Sequence, residues 1–207
     1  DSISLQGDGG FSVLFGVNAT EGLNGGDAWD FILADSGSRE ILPPPYSPDS
    51  ASYGRSGWSR RNSLVVEFSN KNNVPGNPST YQTSIAVYLN GSQICRTDVP
   101  EINLTNGTLH YVWIDFFGLF TAIDVRVSIG AARPDSANLQ CQVNLWGVMN
   151  MKSSNHIGFE AYNPLSVAGA KHSIAEVLSY FDAYRYDDPV NGEQCAVYGW
   201  CSQRSQS

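Results

Sequence analysis

Between two apolar runs, Leu64 to Phe68 and Gln82 to Leu89, the chain places a loop crowded with side-chain amides, glycine and proline. Asn72, Asn73, Asn77 and Gln82 supply neutral oxygens and N–H donors there, with Glu67 and Ser69 on the approach. Such a loop on a β scaffold reads as a binding element, because loops held by rigid strands carry most recognition chemistry. Asp27, after Gly25-Gly26, reads first as a turn-capping carboxylate. Hydrolytic chemistry is harder to find. A glycosidase needs two carboxyl groups ~5–9.5 Å apart, which on one strand means acids at i and i+2 or i+4. Glu67 has Ser69 at i+2, and the adjacent Asp187 and Asp188 point to opposite faces. His110, His156 and His172 have no nearby Ser or Cys arrangement. No phosphate-binding glycine motif occurs, and Gly7-Asp8-Gly9-Gly10 reads as a hairpin turn.

Cysteine and asparagine spacing point to an oxidising compartment. Four cysteines, Cys95, Cys141, Cys195 and Cys201, form no CxxC pair, which argues against zinc. Cys195–Cys201 would close a short loop, leaving Cys95–Cys141 by elimination. Asn18, Asn90, Asn103 and Asn106 each begin an N-glycosylation sequon, and four sequons with an even cysteine count imply a secreted or cell-surface protein. The alternative is four free, buried thiols in a cytosolic chain. Beginning at Asp1, the sequence reads as a processed form or a piece of something longer.

The elements that must position these groups are strands. The 207 residues suit one large β domain with its own core. Hydrophobic content of 42% against 15% charged residues argues for a folded chain, and a net charge of −8 disfavours nucleic acid and anionic membrane as partners. No apolar run is long enough to cross a bilayer. Strands are expected at Phe11 to Val17, Trp29 to Ala34, the two runs around the amide loop, and a hairpin of His110 to Phe116 with Thr121 to Ile129. In that last arm Ile123, Val125, Val127 and Ile129 share one face and Asp124, Arg126 and Ser128 the other, the pattern of a half-buried strand. Cys141, Val143 and Leu145 repeat the alternation, as do Ile157, Phe159 and Ala161. His172 to Tyr186 fits a short helix or a strand, its final alternation favouring the strand. Glu40 to Gly57, with Pro43-Pro44-Pro45, reads as a long surface loop, and Gly91 to Gly107 as a turn-rich connection. The sum is an all-β sandwich.

Seven blocks, in order across residues 11 to 186, resemble the L-type (legume-lectin-like) lectin family. Gly26 to Ala34 is similar to its ADGLAFFLA, Asn62 to Phe68 to NSLAVEFDT, and Gly76 to Ser79 to GDPS. Val112 to Phe116 resembles VWIDY, Ile123 to Ser128 LEVRLS, His156 to Ala161 YVGFSA, and Glu176 to Tyr180 DILSW. The resemblance implies a two-sheet antiparallel jelly-roll sandwich over residues 1–186, with 187–207 as a disulfide-looped tail or linker. It places Asp27 on the family's sugar-binding aspartate, whose carboxylate accepts from two sugar hydroxyls, after a Gly26-Asp27 bond that is cis in many members. Gly57 would donate backbone N–H, Asn72 or Asn73 an amide, and Trp58 or Tyr53 a ring against the sugar; Asn163 and Lys171 would tune specificity.

Departures from the family pattern concern its metals. Family members hold calcium and a transition metal near Glu67, but Ser69 stands in place of the bridging Asp, Asn77 in place of the Asp before Pro, and Gln82 in place of the His. With Asn73 these leave one charged ligand, so calcium is expected to be weakly held at most and the transition metal lost. The implied function is a non-catalytic carbohydrate-binding module with a glycan or glycoprotein as partner. The alternative is a structural or adhesive module that assembles with itself or with neighbouring extracellular domains and binds no sugar.

Overall fold

A computed structural model describes residues 2–4, 10–20, 28–35, 62–72, 81–104, 106–118, 121–149, 154–162, 171–176 and 182–184. Twelve strands run through them: β1 Ser2–Ser4, β2 Gly10–Thr20, β3 Ala28–Asp35, β4 Ser63–Asn72, β5 Tyr81–Leu89, β6 Ser92–Asp98, β7 Asn106–Phe117, β8 Ala122–Ser128, β9 Leu139–Gln142, β10 Ser154–Tyr162, β11 Lys171–Glu176 and β12 Asp182–Tyr184. They form two antiparallel sheets. Sheet I has the order β1-β10-β3-β4-β5-β6, and sheet II the order β11-β2-β7-β8-β9, with β12 also pairing β2. No described helix is long and apolar enough to cross a membrane.

Alternation decides what lies between the sheets. Phe11, Phe15 and Val17 of β2, Phe31 and Leu33 of β3, Leu64 and Val66 of β4, and Val112 and Ile114 of β7 enter one buried cluster. Aromatic rings join the two layers: Phe15 of sheet II meets Phe159 of sheet I edge-on with centroids 4.8 Å apart, and Phe31 at 6.4 Å. Edge-on and offset ring pairs each add ~0.5–1.5 kcal/mol beyond the area they bury. A second buried cluster, Ile32, Ala34, Val65, Ala86 and Tyr88, lies on the opposite face of sheet I. That sheet is therefore buried on both faces over part of its length.

Several expectations need correction. The stretch Gly91 to Gly107 is not simply a connection, because β6 runs through it. Asn90 and Gly91 both have positive φ (51° and 79°) and join β5 to β6 in a two-residue turn. Left-handed backbone at both central positions defines the type I′ hairpin, which Asn-Gly favours. The alternation from Cys141 to Leu145 overran its strand. β9 ends at Gln142, and the Asn144 side chain then accepts from Gly147 N–H to open a single 3-10 turn, Leu145–Gly147. Of Gly7 to Gly10, only Gly10 is described, as the first residue of β2; β1 pairs in sheet I and β2 in sheet II. In the stretch His172 to Tyr186 the described residues are in strands, as the favoured alternative had it: β11 to Glu176 and β12 from Asp182 to Tyr184. The β8 strand is buried on both faces, Asp124 and Arg126 as well as Val125 and Val127, while Ile129 lies beyond it and is 70% exposed.

Cys95 of β6 and Cys141 of β9 are disulfide-bonded, as the elimination argument expected. Each sits on the outermost strand of its sheet, so the bond closes that flank of the sandwich. Cys195, Cys201 and the tail 187–207 lie outside the described residues.

His110 of β7 is buried, and its Nδ1 lies 2.9 Å from the Thr108 carbonyl oxygen. Loss of hydration holds its pKa below the ordinary 6.5, against a smaller upward pull from that hydrogen bond. A depressed folded-state pKa means the unfolded chain binds the proton more readily. Stability is then full above about pH 6.5 and is lost as pH falls below it, by at most ~1.4 kcal/mol per pH unit. Urea midpoints between pH 7.5 and 5 should fall more steeply for the parent than for His110→Gln. Parallel curves would remove His110 from the account.

Candidate functional site

Strand register decides which sequence-selected residues can meet. β3 and β4 pair antiparallel with Ala28 opposite Ser69, and β4 continues to Asn72, opposite Tyr81 of β5. Asp27 directly precedes Ala28, and Asn73 directly follows Asn72. The positions next to both, Ala28 and Asn72, therefore lie on neighbouring strands at one end of sheet I. β10 ends at that same end, Tyr162 lying opposite Ala28. Asp27, Tyr53, Gly57, Trp58, Asn73, Asn77 and Asn163 lie outside the described residues, as does the bond between Gly26 and Asp27.

Two site residues assigned to the loop or its margin belong to the ladder instead, while Gln82 lies in the second strand as expected. Ser69 and Asn72 are in β4, and Gln82 in β5 pairs with Lys71. The apolar run stops at Phe68, but hydrogen bonding carries the strand four residues further through polar side chains.

The family's metal pair can be tested against this arrangement. Ser69 Oγ and Ser84 Oγ, directly opposite across β4 and β5, are buried and hydrogen-bonded at 2.7 Å. A neutral hydroxyl committed to another hydroxyl replaces the carboxylate that would bridge two cations, and the imidazole position is an amide at Gln82. Hard dications bind through charged oxygens and transition metals through imidazole. The residues present do not fit the metal pair. Among the described residues, no group of three or more His, Cys, Asp and Glu side chains could hold a metal ion.

Acidic residues do line up here, in a way a search along one strand misses. Register sets Glu160 of β10 opposite Asp30 of β3, Asp30 opposite Glu67 of β4, Glu67 opposite Ala86 of β5, and Ala86 opposite Arg96 of β6. Asp30 and Glu67 are 3% and 4% exposed. Directly opposed residues have Cβ atoms ~4.5–5.5 Å apart, close to the spacing of a retaining glycosidase's carboxyl pair. Both acids also have interaction partners of their own, so neither stands free. The signal for this row was present in the sequence. Asp30 and Glu160 replace Ala and Ser of the family blocks quoted above, but only the register shows that they stand in one row with Glu67.

The sequons divide between the two ends. Asn90 sits in the hairpin turn at the end of sheet I away from Asp27, where its Oδ1 accepts from Asn62 N–H at 3.0 Å. Asn18 and Asn106 stand near the opposite end of the β2–β7 pair, with Asn103 exposed in the segment before β7.

No family model matches the chain, and no curated protein matches it. Solved structures do. The lectin from Bauhinia forficata in complex with GalNAc superposes with a TM-score of 0.52 at 17% identity, covering 77% of this chain and 68% of that one. The lectin UEA-II complexed with galactose gives 0.50 at 16%, covering 87% and 73%. Lectin II from Ulex europaeus gives 0.50 at 16%, covering 87% and 74%. Against the winged bean acidic lectin complexed with methyl-alpha-D-galactose, the chain spans 66% of that protein's length, just under two thirds. At such identities the likeness is one of architecture. Two antiparallel sheets with this strand order and these neighbours give the chain a legume-lectin-like fold.

Proposed function

We propose that this chain is a secreted or cell-surface carbohydrate-binding module that performs no catalysis and takes a glycan or glycoprotein as partner. The observation that carries the reading is the register of β3 and β4, which brings the chain positions next to Asp27 and Asn73 to one end of one sheet. The Asp27 carboxylate would accept two vicinal hydroxyls. Asn72 or Asn73 and the backbone at Gly57 would complete the polar contacts, and Trp58 or Tyr53 would cover a sugar face. The strands on either side of the loop are tied to each other by the Ser69–Ser84 bond, which needs no metal. Non-catalysis is supported by the burial of Asp30 and Glu67 and by their prior engagement.

A glycan array probed with the parent and with Asp27→Ala, each with and without calcium, tests this. Removing a charged acceptor costs ~1.5–3 kcal/mol, so affinity should drop by roughly 10- to 100-fold. Calcium should change neither binding nor melting. A cation at 100 times its dissociation constant would add ~2.7 kcal/mol, a shift readily seen.

The committed Ser69 hydroxyl also favours a second reading. With the cation ligands replaced, the module could serve as a structural or adhesive sandwich in a larger extracellular assembly, contacting itself or neighbouring domains. Absence of array binding by the parent under both conditions selects that reading.

A further inference from the structure

Four sequons are a motif that the carbohydrate site does not absorb, and their surroundings differ. Asn18 is half-buried within sheet II, between Leu109 of β7 and Ser173 of β11. Asn106 is exposed at the first position of β7, opposite Thr20. Its Oδ1 accepts from Thr108 N–H at 2.8 Å, across Gly107 at φ 79°. That side-chain turn commits the amide oxygen and leaves the nitrogen, the atom a glycan joins, outside the fold's own hydrogen bonding among the described residues. Thr108, the third sequon residue, is exposed as well. Phe11 of β2 meets Phe31 and Phe15, further along, meets Phe68, which stands opposite Trp29 next to Ala28, so β2 runs toward the Ala28 end of sheet I as it approaches Thr20. Asn106 thus stands at the end of the sandwich where Ala28 and Asn72 lie, whereas Asn90 stands at the other.

We propose that Asn106 is an N-linked glycan attachment site and that its glycan shields the loop end carrying Asp27. The transfer joins Asn106 Nδ2 to the anomeric carbon of an oligosaccharide carried on a lipid diphosphate. The bond from that carbon to the phosphate oxygen breaks, the lipid diphosphate leaves with the electron pair, and the amide proton passes to a base of the transferring enzyme. A bulky, hydrated group at this position restricts which outside glycans reach the loops. Its effect on sugar binding rests on the carbohydrate reading above; its attachment and its shielding do not.

The full chain, secreted from a eukaryotic host, is the material for the test. Enzymatic deglycosylation in heavy-oxygen water converts each occupied Asn to labelled Asp, and mass spectrometry should find the label at residue 106 and not at residue 18. Hydroxyl-radical footprinting of the peptide containing Tyr81, with retention on galactose-bearing beads, then compares Asn106→Gln, Thr108→Ala and Asn90→Gln. Thr108→Ala destroys the sequon and keeps the backbone N–H that Asn106 holds, so it separates lost glycan from lost fold. Loss of protection and stronger retention are expected for both changes at the Asn106 sequon, with Asn90→Gln like the parent. An unlabelled Asn106, or equal protection in Thr108→Ala and Asn90→Gln, overturns the proposal. Lost protection with no retention by any form upholds the shield and removes the carbohydrate reading alone.

Discussion

Replacing Cys95 and Cys141 together by alanine is expected to lower the free energy of unfolding by about 4 kcal/mol. The bond closes a loop across a sequence separation of 46 residues, and the chain-entropy model assigns a closure of that length roughly this value. Loss of the cross-link frees the unfolded chain, and it also removes the covalent tie between the outer strands of the two sheets. For a chain of this size the change should lower Tm by roughly 8–16 °C. The double substitution is preferable to a reductant, because it leaves Cys195 and Cys201 untouched. Urea unfolding gives the answer directly. A loss below about 1 kcal/mol would mean that the flank is held by packing, chiefly Val87 and Leu139 beside the bond, and that the cross-link constrains little.

That flank is also where the sequence was hardest to read. Strands β2, β3, β4, β5, β7 and β10 announce themselves by apolar residues at every second position, because one face of each enters the common core. β6 does not. An edge strand pairs on one side and exposes most of its side chains, so Ser92, Gln93, Arg96 and Asp98 carry no alternation. Its one strong signal is the Asn90-Gly91 turn, whose Asn also begins a sequon. β1 and β12 span three residues each, too few for a periodicity to register. β9 misled in the other direction, since Val143 and Leu145 stay buried after the strand has ended and a 3-10 turn has begun.

Legibility of the candidate site divides in the same manner. The exchange of metal-ligating residue types for Ser69, Asn77 and Gln82 could be read from residue identities alone, since ligand charge is a property of the side chain. What could not be read was the consequence. Ser69 meets Ser84 because β4 continues past its apolar run, and that continuation depends on backbone pairing with β5 rather than on side-chain character. The carboxylate row from Glu160 through Asp30 to Glu67 is invisible along any single strand, because it exists only across three of them.

Asp115→Ala should cost about 3–5 kcal/mol, the largest effect of any single substitution considered. The reason lies on the face of sheet II turned away from the core. Ser12, Asp115, Asp124 and Gln140 stand in one cross-strand row, which puts two carboxylates directly opposite each other. Such a like-charge pair is destabilising by itself. Arg126 resolves it by donating to Asp115 Oδ2 at 3.0 Å and to Asp124 Oδ2 at 2.9 Å. Ser12 Oγ donates to Asp115 Oδ1 at 2.7 Å, Gln140 to Asp124 Oδ1 at 3.2 Å, and Arg133 adds a second guanidinium to Asp115. Two carboxylates and two guanidinium groups make the cluster neutral overall. Asp115 and Arg126 are only 2% and 4% exposed, so removing Asp115 strips a buried cation of half its compensation and leaves Ser12 without its acceptor. Asp124, whose side chain is less enclosed, should cost less when replaced. The exposed Arg96–Asp98 pair provides the contrast: Asp98→Ala should fall within ~1 kcal/mol of the parent. Salt separates the two further, because an enclosed network is weakly screened and a surface pair strongly. If Asp115→Ala proves no more costly than Asp98→Ala in urea at low salt, the network is incidental to the fold. Two of the blocks that resemble the lectin family, Val112 to Phe116 and Ile123 to Ser128, would then owe their form to the core-facing residues alone.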